Sequence, residues 1–213
     1  MHLARKNSSN SWPIPQKSTK YVVVPSHAKD NGIPLLIIMR DILGLVKTRK
    51  ELKIILLEEK VVVNEKLVRA ENLTLQLFDT LNLKELNKFY RLTLSELGKF
   101  ALENIEEKET THKILKVINK KILKKGAVQI NLSDGRNILS KEKVSVGDSV
   151  FTNLKTNKIE KILHLTDGSK VMVISGKHTG ASGIVASIKD SEVIVKTKEQ
   201  KIQVNKNRLI VLK

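Results

Sequence analysis

The chain has 213 residues, of which 40% are hydrophobic and 3% aromatic, and its formal net charge is +17. It contains no cysteine, which excludes disulfides and thiolate chemistry, and its five histidines lack the spacing of a zinc site, so we expect no metal and no cofactor. Its apolar runs are too short to span a membrane, and its first residues lack the apolar region of a secretion signal, which predicts a cytoplasmic protein. The positive charge favours a polyanionic partner, either nucleic acid or an anionic membrane surface.

Residues 1–33 form the first segment and contain three of the four prolines, Pro13, Pro15 and Pro25. They show no sustained helical period, and only "TKYVVV" is compatible with a short strand. We therefore predict an extended basic arm. Because the arm has little apolar content, we expect it to become ordered only against its partner.

Residues 34–82 predict two helices followed by a hairpin. Pro34 is compatible with the first turn of a helix over "PLLIIMRDIL", and Gly44 with its left-handed end. The second helix begins at Thr48, whose hydroxyl forms a capping box with Glu51. The sequence "KVVVNEKLV" then indicates two short strands around a polar turn.

The second predicted helix carries a basic arc. At about 100° per residue, Arg49, Lys50 and Lys53 fall on one side of the helix, with Arg40 and Lys47 close by in sequence. A solvated helix face is the simplest interpretation. Long cations on a rigid element are also what phosphate contacts require, whereas the helix lacks the broad apolar face of a membrane-surface helix.

Residues 83–165 predict a central β domain. The stretch "LKELNKFYRLTLSELGKFALENIEE" is compatible with either helix or strand. In contrast, "AVQINLSDGRNIL" alternates apolar and polar residues around Asp134-Gly135, a hairpin signal. From residue 166 to 213, short strands alternate with Gly, Asp and Ser turns, as in a small barrel.

The sequence "SGKHTG" at residues 175–180 is similar to a phosphate-binding loop only in part. That pattern requires glycine where Val171 stands, and it leads into a helix, whereas "GIVASI" predicts a strand. Asp134, His164 and Ser175 could form a catalytic triad on paper, but no nucleophile motif surrounds these residues, so we predict that the protein is not an enzyme.

Three stretches resemble known modules. Two helices followed by a hairpin with "VVVN" resemble the α-L RNA-binding module, and "VMVISGKHTGASGIVASI" resembles the KOW motif of SH3-like barrels. Together with the arm "WPIPQKSTKYVVVPS", they resemble the S-four-e family of small-subunit ribosomal proteins over nearly the whole chain.

The resemblance implies an α+β, multidomain fold. It comprises a basic N-terminal arm (1–33), an α-L module of two helices and a β-hairpin (34–82), a central β domain (83–165) and a C-terminal SH3-like KOW barrel (166–213). It further implies a structural, non-catalytic role in holding small-subunit rRNA next to neighbouring ribosomal proteins, as a monomer and away from membranes. The alternatives are an accessory subunit of an RNA-modifying enzyme and a KOW-type transcription elongation factor.

The candidate residues fall into two sets, most of whose members match positions of the family. The RNA-binding candidates are Arg5, Lys6, Trp12, Lys17, Ser18, Lys20, Arg40, Lys47, Arg49, Lys50, Lys53, Arg136, Asn137, Lys177 and His178. The turn positions are Gly176, Gly180 and Gly183, and Gly126 matches the central domain. The chain departs from the family at Glu59 and Glu65, where glycine is usual, and both acids are expected to weaken phosphate contact locally.

Overall fold

The structure is a computed structural model that describes residues 2–28, 31–123, 128–140, 143–189, 191–197 and 200–212. The protein is mostly β-strand with few helices, and it divides into two compact units. Unit 1 comprises Met1–Ser95 and Lys99–Thr111, and unit 2 comprises Glu96–Gly98 and His112–Lys213. Gly126, matched to the central domain from sequence, lies outside the described residues.

Unit 1 contains two small β-pairs, two helices and a larger sheet. In chain order its elements are β1 (Leu3–Ala4), β2 (Tyr21–Val22), β3 (Gly32–Pro34), α1 (Leu35–Ile37, continuing as a π-helical turn over Ile38–Ile42), α2 (Arg49–Leu57), β4 (Val61–Val63), β5 (Lys66–Leu67), β6 (Thr74–Gln76), β7 (Thr80–Leu83), β8 (Lys88–Leu94) and β9 (Phe100–Asn104). Strand β1 pairs with β2, β3 pairs with β6, and the larger sheet has the antiparallel order β5-β4-β7-β8-β9.

The helices begin and end close to where the sequence predicts. Pro34 precedes α1 as its N-cap in extended conformation, one residue earlier than expected, and Gly44 follows at φ +65°. In α2 the Thr48 hydroxyl accepts a hydrogen bond from the Glu51 backbone at 3.2 Å, which confirms the capping box. Leu52 and Leu56, one turn apart on α2, are buried in the core of unit 1.

The stretch that was compatible with helix or strand forms β8 and β9. Tyr90 and Leu92 alternate with more exposed residues along β8 and pack into the core of unit 1. Burial of alternate side chains against the helices outweighs the helix propensity of the Leu, Glu and Lys residues.

The N-terminal arm packs on unit 1, which overturns the expectation that it orders only against a partner. Leu3 and Trp12 are buried in the core, and Trp12 is 1% exposed. The Trp12 indole Nε1 donates a hydrogen bond to the Gly32 carbonyl at 2.8 Å. The expectation was wrong because two well-placed apolar side chains anchor a segment whose average composition is polar.

The described residues of unit 2 form two sheets of antiparallel strands and a short 3₁₀ turn at Lys206–Arg208. Its strands are β10 (His112–Ile122), β11 (Val128–Leu132), β12 (Asn137–Ser140), β13 (Ser149–Asn153), β14 (Ile159–Leu163), β15 (Lys170–Val173), β16 (Ser182–Lys189), β17 (Glu192–Lys196), β18 (Lys201–Asn205) and β19 (Leu209–Val211). The sheet orders are β12-β11-β10-β13-β14 and β18-β17-β16-β15-β19. Valine and isoleucine dominate both cores, as is typical of strands.

The two sheets of unit 2 are tied together by buried polar contacts. The Lys116 ammonium on β10 donates to the carbonyls of Lys206 (2.8 Å) and Leu209 (2.6 Å) beside the second sheet. The Ser149 hydroxyl on β13 accepts a hydrogen bond from the Val211 backbone at 2.9 Å. Unit 2 therefore forms one compact body from two separate hydrophobic cores.

The predicted domain boundaries can be compared with the strands. The predicted boundary at 82/83 lies within β7, which pairs with β4 in the sheet β5-β4-β7-β8-β9. The boundary at 165/166 falls between β14 and β15, where the chain passes from one sheet of unit 2 to the other.

Candidate nucleic-acid interface

The basic face of α2 presents cations on a rigid element. Arg49 and Lys53 lie one turn apart with side chains that are 63% and 59% exposed, and Lys50 next to Arg49 is also exposed. The capped helix fixes the positions of their Cα atoms, so the cations share one side as the helical period predicts. Such an arrangement is able to contact successive phosphates of a polyanion.

A buried acid lies beneath this basic face. Glu71, in the loop between β5 and β6, accepts a hydrogen bond from the Arg49 Nε through Oε1 and forms an ion pair with the same guanidinium. The Lys53 Nζ lies 3.9 Å from Glu71 Oε2. The hydrogen bond and the charge of Glu71 raise the pKa of Arg49 above its already high ordinary value.

Two nearby predicted cations have acidic neighbours of their own. Arg40 forms an ion pair with Asp41 at 2.8 Å, which raises the pKa of its guanidinium. Lys47 is exposed, and its backbone N–H donates to the Glu51 carboxylate at 2.8 Å, which together with the Thr48 hydroxyl lowers the pKa of that acid. Arg40 therefore adds less to the positive surface than Lys50 does, because Asp41 offsets part of its charge.

In the arm, Arg5 has a structural role. Its guanidinium donates three hydrogen bonds of 2.8 Å, to the carbonyls of Pro15 and Thr19 and to the Thr19 hydroxyl. These bonds connect Arg5, directly after β1, to the segment that precedes β2, and so close the loop between the two strands. The side chain is thus occupied in holding the arm in shape.

Trp12 is corrected from an RNA-contact candidate to a core residue, since its ring is buried and its N–H is bonded within unit 1. The arm still presents polar groups to solvent. Lys6, Lys17, Ser18 and Lys20 are all exposed, and the Lys20 ammonium lies 5.4 Å from the centroid of the Tyr21 ring. Among the described residues, no hydrogen-bond acceptor is in contact with the ammonium of Lys6 or Lys17.

In unit 2, the turn between β11 and β12 has the conformation that Asp134-Gly135 predicts. Gly135 has φ +85°, and the Asp134 carboxylate accepts a hydrogen bond from the Arg136 backbone at 3.0 Å. The Arg136 guanidinium contacts Asp134 at 3.1 Å and Asn157 at 3.1 Å, so it braces the turn. Asn137 is exposed at the start of β12 and pairs with Asn131.

The loop between β15 and β16 carries the remaining candidates. Gly176 and Gly180 have φ values of +100° and +89°, which favour glycine. Gly183 is required for a different reason, because a Cβ there would lie 2.4 Å from the Lys196 carbonyl oxygen. Lys177 is exposed at the tip of the loop, and His178 is half-buried.

Sequence reasoning missed two polar residues that the structure makes prominent, Glu71 and Lys116. Both are buried charged residues whose partners are distant in sequence, at separations of 22 residues for Glu71 and 90 or more for Lys116. A local pattern contains no signal for such contacts.

The described residues also contain no helix that is long and apolar enough to cross a membrane.

Comparisons with known proteins agree with this geometry. A model of the ribosomal family S4e matches residues 86–159. The small ribosomal subunit protein eS4 of Methanocella arvoryzae is 35% identical over 191 residues, covering 88% of this chain and 81% of that protein. The protein of the same name from Methanospirillum hungatei is 33% identical over 187 residues, covering 85% and 78%.

A solved structure shows the same fold. The crystal structure of the 30S ribosomal protein S4e from Thermoplasma acidophilum matches with a TM-score of 0.75 and 25% identity, over 86% of this chain and 96% of that chain. The class that the fold and the basic surface define is therefore a multidomain, mostly β ribosomal protein. The chain belongs to the S4e family.

Proposed function

We propose that this protein is a structural constituent of the small ribosomal subunit, where it binds and holds rRNA without catalysing a reaction. The observation that carries the proposal is the similarity along 88% of the chain to a protein named small ribosomal subunit protein eS4. The protein would accordingly be found in the cytoplasm, within the small subunit, as a single copy beside neighbouring ribosomal proteins.

The modules of unit 1 and unit 2 support this proposal. The order α1, α2 and the β4–β5 hairpin agrees with an α-L RNA-binding module. The sheet β18-β17-β16-β15-β19, with its glycine turn at residues 176–180, agrees with an SH3-like KOW barrel. The sheet that contains β10 to β14 then corresponds to the central β domain.

The distribution of charge supports RNA as the partner. The net charge is +17, and phosphate neutralisation by Lys and Arg supplies most of the affinity of such proteins for nucleic acid. We assign direct phosphate contacts to exposed cations. Those in the proposed set are Lys6, Lys17, Lys20, Lys47, Arg49, Lys50, Lys53 and Lys177, with Ser18, Asn137 and His178 as polar contacts.

The two alternative functions have no support of their own. The relatives described above are named as ribosomal proteins, and the similarity extends over most of their length. Neither an RNA-modifying enzyme nor an elongation factor is among them.

Two further arginines are candidates for contact with RNA. Arg40 is paired with Asp41 and Arg136 with Asp134, and both can contact phosphates through their outer N–H groups.

A salt titration tests the proposal. We expect the full chain to bind a transcript of small-subunit rRNA more tightly than a large-subunit transcript of equal length, with log affinity falling steeply as log salt rises. Lys50→Ala should reduce that slope by roughly one unit or less. Lys108→Ala, at an exposed lysine between Glu107 and Glu109, is the matched control and should leave the slope nearly unchanged. Equal binding of both transcripts with a flat salt response would contradict the proposal.

A further inference from the structure

We propose that Glu71 is a positioning residue for RNA binding, a buried carboxylate that holds Arg49 and Lys53 of α2 in the orientation in which they meet phosphates. The inference rests on the proposed function, since it assumes that α2 contacts RNA. It assigns a role to an acid in a protein whose partner is itself acidic, which is the opposite of what charge alone suggests.

The backbone around Glu71 is fixed. The Glu71 carbonyl accepts a hydrogen bond from the Leu36 backbone at 3.0 Å, and the Leu73 carbonyl accepts one from Leu35 at 2.8 Å. The loop that carries Glu71 is therefore tied to the start of α1. Glu71 itself is 7% exposed, so its carboxylate has little freedom to move.

The carboxylate engages the inner side of both cations. Arg49 contacts Oε1 through its Nε and Nη2, and Lys53 approaches Oε2 at 3.9 Å. The Arg49 Nη1 has no acceptor among the described residues, and both cationic side chains remain mostly exposed. The outer donors are thus free for phosphate oxygens while the inner ones are held.

The buried oxygen Oε2 indicates that this arrangement is maintained at a cost. Among the described residues it has no hydrogen-bond partner, and the Lys53 ammonium lies 3.9 Å from it. Burying a carboxylate is unfavourable unless it is paired, so the site needs both cations to remain in place. If Glu71 served only to attach α2 to the loop between β5 and β6, the contact with Arg49 would be enough. The second cation, Lys53, would then not be required on the same exposed face.

Pre-organisation is the physical benefit. Long basic side chains lose rotamer freedom when they bind, and a side chain already held in one orientation loses less. Charge alone predicts the reverse effect for Glu71, because removing an acid makes the protein more positive and should strengthen binding to RNA. The two effects therefore differ in sign, which makes them separable by experiment.

The experiment compares Glu71→Gln with Glu58→Gln in the full chain, using a small-subunit rRNA transcript as the probe. Both variants raise the net charge by one, and Glu58 is an exposed acid at the end of the same helix, paired with Lys60 at 2.8 Å. We expect Glu71→Gln to weaken binding by roughly threefold or more, as the loss of one well-placed contact does, whereas Glu58→Gln should not weaken it. Binding by Glu71→Gln that equals or exceeds wild type would overturn the inference.

A second variant covers the case in which Glu71→Gln fails to fold. Arg49→Lys keeps the net charge and leaves Glu71 paired, but it removes the planar fork that the carboxylate orients. We expect it to weaken rRNA binding by a similar factor at an unchanged melting temperature, and unchanged binding would contradict the inference. If the wild-type chain itself does not prefer small-subunit rRNA, the proposed function fails; if it does and these variants bind normally, only the role of Glu71 fails.

Discussion

Two acidic residues occupy backbone positions that favour glycine. Glu59 has φ 55° just after α2, where its N–H bonds to the Leu56 carbonyl and the Lys60 N–H bonds to the Ile55 carbonyl. This is the Schellman pattern of a helix end. Glu65 has φ 64° in the two-residue turn between β4 and β5, beside Asn64 at φ 50°. Both acids therefore occupy a left-handed backbone conformation that is strained for a residue with a side chain.

Glu59→Gly should stabilise unit 1 by about 1 kcal/mol, because a left-handed conformation costs an L-residue roughly that much. The exposed contact between Glu59 and Arg69 at 3.3 Å contributes little in opposition. Urea denaturation measures the change in the free energy of unfolding. Glu58→Gly is the matched control, since Glu58 has φ −77° and gains nothing from glycine. A destabilised Glu59→Gly variant would refute this account of the helix end.

Lys116 illustrates a buried charge outside the proposed RNA-binding surface. Burial, reinforced by the nearby charge of Lys206, lowers the pKa of Lys116 to about 8. The ammonium donates to two carbonyls, and a neutral amine retains enough N–H groups to make the same two bonds. Deprotonation therefore removes a desolvated charge without breaking the tie between the sheets of unit 2.

The pKa of Lys116 predicts a pH-dependent stability. Between about pH 8 and its ordinary pKa of 10.5, the unfolded chain binds more protons at this residue than the folded chain does. The free energy of unfolding of the wild type should consequently rise relative to Lys116→Met as pH increases through that range. Denaturant titrations at several pH values measure the difference. A difference for Lys116→Met that stays constant across that pH range would contradict the assignment.

At the scale of elements, the arm shows how far local sequence signals extend. The capping box of Thr48 and Glu51 and the turn at Asp134-Gly135 were predictable, because they depend on residues a few positions apart. The burial of Trp12 depends on Gly32, which lies twenty residues later in the sequence. It also depends on β9, where the Phe100 backbone N–H donates to the Ser11 carbonyl. No periodic pattern records such contacts.

Trp12→Ala should destabilise unit 1 by about 3–5 kcal/mol, which is typical of removing a fully buried aromatic side chain. The loss should occur in the isolated protein, without RNA, because the ring packs within unit 1. Denaturation followed by circular dichroism provides the measurement. Tyr21→Ala, at an arm residue that is 48% exposed, should change stability by less than about 1 kcal/mol. Equal stability of Trp12→Ala and wild type would indicate that the arm is not anchored in solution.

The location of the proposed interface was predictable only in part. The cations of α2 could be placed on one side from their spacing, since the helical period is a local property. The acid that orients two of them could not, because Glu71 enters from a loop between two strands. Arg5 likewise resembles a phosphate-binding residue in sequence and is occupied by hydrogen bonds within the arm.

At the scale of the whole molecule, several acids are used for internal contacts. Asp79 accepts hydrogen bonds from the Asn64 side chain (2.7 Å) and the Gln76 backbone (2.6 Å), and Asp148 accepts one from the Ser145 backbone at 3.0 Å. Both carboxylates are buried. Because these acids face inward, the surface is left with a larger share of the Lys and Arg residues, as a protein that lies against RNA requires.

Sedimentation of a cell lysate tests the central claim most directly. A sucrose gradient run under conditions that separate the ribosomal subunits, with the full chain detected in each fraction, shows where the protein resides. A structural constituent held by many phosphate contacts is expected in the small-subunit fractions, and it should remain there after a moderate salt wash. Recovery of the protein mainly with free proteins at the top of the gradient, or with the large subunit, would contradict the account.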